Sequence, residues 1–155
     1  MMDKDPLAQA VEVVEAVLRE QLGLDPNTLR VKTGDGSLCW GLMKGSAEVF
    51  IVIRPKADQS GHVIRVTAPV IEVPADDASR LDLFERLLRD NAENLTAAAF
   101  GLRDDTILLT ADRSIDDLDA SEVREMLLRV GFYADLYDDA LAAHYGTRRY
   151  TDPGA

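Results

Sequence analysis

Gly34-Asp35-Gly36 and Lys44-Gly45-Ser46 stand at either end of the apolar-alternating stretch Ser37 to Met43. Glycine and Asp-Gly steps tolerate the positive φ that hairpin turns need. The strands they join must therefore be antiparallel neighbours, because a parallel pair needs a long crossover. This excludes a strand–helix–strand winding for this part of the chain. Leu29 and Val31 alternate with polar neighbours before the first turn. Leu38, Trp40 and Leu42 share one face after it. Val49 to Ile53 is an unbroken β-prone apolar run, the pattern of a central strand buried on both faces. Pro55 stops it, and Lys56 to Gly61 is a polar loop. His62 to Val73 is a long β-prone stretch in which Pro69 removes a ladder donor, so a bulge or a change to an edge is expected there.

Helices flank this block. Asp5-Pro6 is a helix start, and Leu7, Val11, Val14, Leu18 and Leu22 recur at helical spacing until Gly23, with a turn at Asp25-Pro26-Asn27. Pro74-Ala75-Asp76-Asp77 opens a second helix with Leu81, Phe84, Leu87 and Leu88 as its apolar face, ending at Asn91 to Asn94. Leu95 to Leu102 and Thr106 to Ala111 read as two strands joined by Arg103-Asp104-Asp105. Asp116, Asp117 and Asp119 precede a last helix carrying Val123, Met126, Leu127, Val130, Tyr133, Tyr137 and Leu141, which Gly131 bends or splits. The fold class is α+β: a mostly antiparallel sheet of about six strands with three helices, in the order α-β-β-β-(β)-α-β-β-α. One domain over residues 5–145 is followed by a loose polar tail, 146–155.

The chemistry-bearing residues do not assemble into a catalytic pattern. His62 and His144 are too few for a metal site, and Cys39 inside a strand reads as a buried small residue rather than a nucleophile. Gly34-Asp35-Gly36 lacks the rest of any phosphate-loop fingerprint. The acidic pairs sit at turns and helix ends, where aspartate is locally favoured, and none follows the calcium-loop spacing. No cofactor and no enzymatic activity are expected. The net charge of −11 disfavours direct binding to nucleic acid or an anionic membrane. It either keeps the protein soluble or steers in a basic partner. No run is long enough to span a membrane, the start is not that of a signal peptide, and Cys39 is the sole cysteine. A cytoplasmic location is expected.

Leu87-Leu88-Arg89-Asp90-Asn91, Leu95, Phe100-Gly101-Leu102, Ile107-Leu108-Leu109, Leu118 and Tyr133-Ala134-Asp135-Leu136-Tyr137 stand in an order that resembles the YbjN family and, more distantly, the class I type III secretion chaperones. The resemblance covers about Leu7 to Tyr145. It implies a non-enzymatic, usually homodimeric protein that binds other proteins; the secretion chaperones hold an extended client segment around their surface. A chaperone-like homodimer docking a protein client is therefore the first reading, with the client basic or nucleic-acid-binding. The alternative is a regulatory dimer that takes a small ligand between helices and sheet. Candidate partner-binding residues are Val13 and Val17 on the first helix and Leu38, Trp40 and Leu42 on the sheet, where Trp40 reads equally as core. Leu83, off the main stripe of the second helix, with Phe84 and Leu87 beside it, is the candidate dimer contact.

Overall fold

The computed structural model describes residues 4–150. A six-stranded antiparallel sheet runs in the order β1-β2-β3-β4-β6-β5. Its strands are β1 (Arg30–Val31), β2 (Leu38–Lys44), β3 (Ala47–Pro55), β4 (His62–Glu72), β5 (Ala99–Arg103) and β6 (Thr106–Ser114). The helices are α1 (Pro6–Ala16), a short α2 (Pro26–Leu29), α3 (Asp77–Glu93) and α4 (Ala120–Tyr145). The α+β class and strand count are as the sequence implies. The added helix α2 replaces the expected turn, because Asp25 accepts the Asn27 N–H and Pro26 presets the first helical φ. The Leu95–Leu102 strand begins only at Ala99. β6, with Ile107, Leu108 and Leu109 all buried, lies inside the sheet, and the more exposed β5 takes the edge.

Asp5, Asp76 and Asp119 cap α1, α3 and α4, the last with Glu122 in a reciprocal capping box. After α1 the backbone widens into a π-turn, Val17–Gln21, in which the Leu22 N–H donates to Val17 O. Val17 and Leu18, at its start, are both buried in the core, continuing the stripe of Val14. α4 lies across β3, β4 and β6 and also packs against α1, and α3 packs on β5. α4 is continuous through Gly131. A Cβ there would sit 2.6 Å from Lys44 Cγ, so the glycine lets the end of β2 cross the helix closely.

The register puts rows of side chains on opposite faces. Trp40, Ile51, Val66 and Ala111 stand opposite one another across β2, β3, β4 and β6, all buried beneath the helices. Arg30, opposite Trp40, lays its guanidinium 5.1 Å from the indole centroid and closes that end of the row. The other face carries Cys39, Val52, Arg65 and Asp112 in one row and Gly41, Phe50, Thr67 and Thr110 in the next. Val49 to Ile53 is thus not buried on both faces as expected. Val49, Ile51 and Ile53 are buried while Phe50 and Val52 are half-buried, because the helices cover one face only. On α3 the expected stripe is likewise displaced. Leu83 and Leu87 enter the core, and Leu81 and Leu88 are 62% and 68% exposed.

Pro69 produces the expected irregularity. β4 shifts register against β6 between Pro69 and Ile71, and β3 pairs with β4 only as far as Phe50 and Thr67. The tail after α4 is not loose over its described part. Gly146, at φ +64°, ends the helix, and Arg149 forms a bridge with Ile71 of β4. Residues 151–155 lie outside the described chain.

The β2–β3 turn is tied to α4 through acids. The Ser46 hydroxyl is 2.5 Å from Asp135 Oδ1 and 2.9 Å from Asp138 Oδ2, and Asp138 Oδ1 accepts the Asp139 N–H. One hydroxyl carries one proton, so it donates to only one carboxylate at a time. Burial raises the Asp138 pKa above the usual carboxylate range, against the lowering effect of Ser46 and the Asp139 N–H. A carboxyl raised on folding is protonated more readily in the native state, so stability falls as pH rises from the unfolded carboxylate value through the raised native one. Asp138→Asn places a donor toward Ser46 and keeps an acceptor for the Asp139 N–H. We predict a gain in stability at neutral pH that shrinks at acidic pH. Urea unfolding at neutral and at acidic pH measures it, and a variant less stable than the wild type at neutral pH contradicts the account.

Candidate functional site

The face of the sheet turned away from the helices forms an open trough of about 680 Å³. Its floor is Cys39, Phe50, Val52, Thr67, Pro69 and Leu108, contributed by β2, β3, β4 and β6. These residues alternate with the core residues of the same strands, so the trough follows from strand pleating and one-sided helix coverage. At Gly41 an added Cβ would meet the Phe50 ring at 3.2 Å, so glycine leaves that ring room to lie over β2. Thr67 is buried, and its hydroxyl donates to the Leu109 carbonyl at 3.1 Å.

Charged side chains line the trough beside this apolar floor. Arg65 and Asp112 face each other on β4 and β6 and pair at 2.6 Å. Arg65 Nε is buried without an acceptor among the described residues. Arg54 and Arg103 also border the trough, and neither has an ion-pair partner among the described residues. Asp35 and Asp104 line the trough too, so it carries charges of both signs. Asp35 lies at the β1–β2 end, where the Ser37 hydroxyl and N–H hold its carboxyl below the usual range. Burial pushes the Cys39 thiol up, away from the thiolate a nucleophile needs. Tyr150, from the segment after α4, completes the wall.

The residues singled out from the sequence sit elsewhere. Val17, Trp40 and Leu42 are buried under the helices, and Val13 and Leu38 are half-buried against the same core. Strand phase placed Leu38, Trp40 and Leu42 together correctly, but their shared face is the covered one. Leu83 and Leu87, expected at a dimer contact, are also buried within the chain, because α3 turns them onto the sheet. Phe84 is half-buried and lines a groove of about 270 Å³ with Leu88, Gly101 and Leu102 between α3 and the edge strand β5. Sequence reasoning missed three further exposed residues, Leu128, Phe132 and Leu136, at four-residue steps on α4. Their spacing was a visible signal, hidden by the stronger core stripe of the same helix.

His62 begins β4, and His144 makes an edge-on ring contact with Tyr145. Among the described residues no group of three or more His, Cys, Asp or Glu could hold a metal ion. No helix among them is long and apolar enough to cross a membrane.

Three comparisons bear on this geometry. A family described as "T3SS (YopN, CesT) and YbjN peptide-binding chaperone 1" matches residues 8–153. A chain in the structure of the HopA1–SchA chaperone–effector complex superposes with a TM-score of 0.57 at 10% identity, over 90% of this chain and 99% of that one. A chain of the ExsC–ExsE complex does so with a TM-score of 0.58 at 18% identity, over 90% and 97%. No curated protein matches the sequence.

Proposed function

Because the chain belongs to the T3SS and YbjN peptide-binding chaperone family, we propose that it holds an extended segment of a client protein in the trough on the open face of its sheet. It does so as a non-enzymatic binding module in the cytoplasm. The observation that carries this reading is the apolar floor, Phe50, Val52, Pro69 and Leu108, left uncovered by any described helix. Apolar surface rimmed by polar groups marks an interaction site in a soluble protein. The net charge of −11 favours a client with basic flanks, such as a nucleic-acid-binding protein. Arg54 and Arg103 favour an acidic side chain within the bound segment itself. A ligand between helices and sheet is the weaker reading, since Trp40, Ile51 and Leu109 fill that space.

The proposed assembly is a homodimer through the groove between α3 and β5. Leu88 and Leu102 are exposed there, Leu81 is exposed on the same helix, and β5 offers an unpaired edge.

Val52→Arg puts a cation into the centre of the floor at a half-exposed position. Peptides selected on the wild-type chain from a random display library should bind this variant at least ~10-fold more weakly in fluorescence anisotropy, the loss of about 1.4 kcal/mol. Circular dichroism should be unchanged. Equal binding by both proteins contradicts the trough as the client site. In light scattering the wild type should have the mass of a dimer and Leu88→Glu that of a monomer. A dimer that survives Leu88→Glu but is lost in Phe132→Glu moves the interface to α4, and a monomeric wild type contradicts the homodimer.

A further inference from the structure

The described end of the chain reaches the same trough. β4 continues along β6 to Glu72, but β3 has left its other side after Thr67, so the backbone of Val70 and Glu72 is unpaired by β3. The segment after α4 occupies that place. The Glu72 N–H donates to Arg148 O at 3.2 Å, and the Tyr150 N–H donates to Val70 O at 3.1 Å, around the antiparallel bridge of Ile71 and Arg149. Tyr150 then stands in the trough wall, 44% exposed.

This is strand addition to a sheet edge, performed by the chain on itself. Backbone hydrogen bonds of this kind tolerate almost any sequence, which is why extended clients use them. Arg148 pairs with Glu72 at 2.8 Å and Arg149 with Asp139 at 3.0 Å, in both cases between side chains that keep much of their water. Ion pairs of that exposure contribute little, and the bridge is a single residue pair. The segment satisfies the β4 edge through backbone hydrogen bonds of the kind that any other extended strand can make in its place.

We infer that Gly146–Tyr150 is a built-in occupant of the client site, a short strap on the free edge of β4 that an incoming client strand displaces. The inference rests on the trough being the client site. The strap shields the Val70 and Glu72 backbone while no client is present, as exposed edges otherwise invite pairing with other chains. It also sets the threshold for binding, because the apparent affinity is reduced by the fraction of molecules whose edge is free. A client must offer enough apolar contact with the trough to replace both the strap's hydrogen bonds and Tyr150.

The test uses the full chain and a fluorescein-labelled peptide selected from a random display library on the wild-type protein. Tyr150→Pro removes the N–H that donates to Val70 O, and Arg148→Glu independently reverses the charge facing Glu72. Both positions lie outside the core. Each variant should bind the peptide tighter, by roughly 5-fold or more, as a larger free fraction requires. In amide NMR of the wild type, saturating peptide should move the Tyr150 N–H to a solvent-exposed position while the Glu72 N–H stays protected by its new partner. Unchanged or weaker binding in both variants, or a Tyr150 N–H that stays protected in the complex, overturns the strap and leaves the trough intact as the client site. Peptide binding that is insensitive to Val52→Arg instead removes the trough itself, and the strap's role with it.

Discussion

Trp40, Ile51, Val66 and Ala111 form a continuous row across four neighbouring strands, and α4 lies over the β3–β4–β6 part of the sheet. Every other feature of the molecule depends on that contact. It fixes the strand register, since a slip of one residue would turn this row to solvent and bring Arg65 and Asp112 under the helix. It also uses up the helices. α1 packs against α4, and α3 lies at the far side against β5, so no described helix remains to cover the opposite face.

That imbalance gives the open face its character. Its strands still carry Phe50, Val52 and Leu108, residues suited to burial, beside Arg54, Arg65 and Arg103. A sheet face meant only for water would hold polar residues at all these positions. A face meant for a second layer of the same chain would not carry the arginines. The mixture suits an occupant that arrives from outside and leaves again. Gly41 and Gly131 serve the arrangement from opposite sides, one making room for the Phe50 ring and the other for the crossing of β2 over α4.

Much of the fold was legible because it is locally encoded. The glycine turns, the break at Pro69, the aspartate caps and the Arg103-Asp104-Asp105 hairpin each follow from a few adjacent residues. Which face of an element is covered was not legible in this way. Along β3, residues 49 to 53 are apolar on both faces, so alternation gives no sign of which side the helices take. α3 carries leucine at 81, 83, 87 and 88, more than one stripe needs, and only packing against β5 shows that 83 and 87 turn inward. The candidate partner residues around Trp40 fell on the covered side of their strand. The strap was beyond local reading, because its pairing with β4 runs through backbone atoms and its side chains are those of an ordinary polar tail.

The central claim is that the uncovered sheet face, rather than a helical surface, receives the client. Methyl NMR of the wild-type chain, with the library-selected peptide added stepwise, tests it most directly. The account predicts shifts concentrated on Val31, Val52 and Leu108, with Ile51, Val66 and Leu42 beneath the helices little affected. Shifts confined to Leu128 and Leu136 on α4, with the trough methyls unmoved, would contradict it.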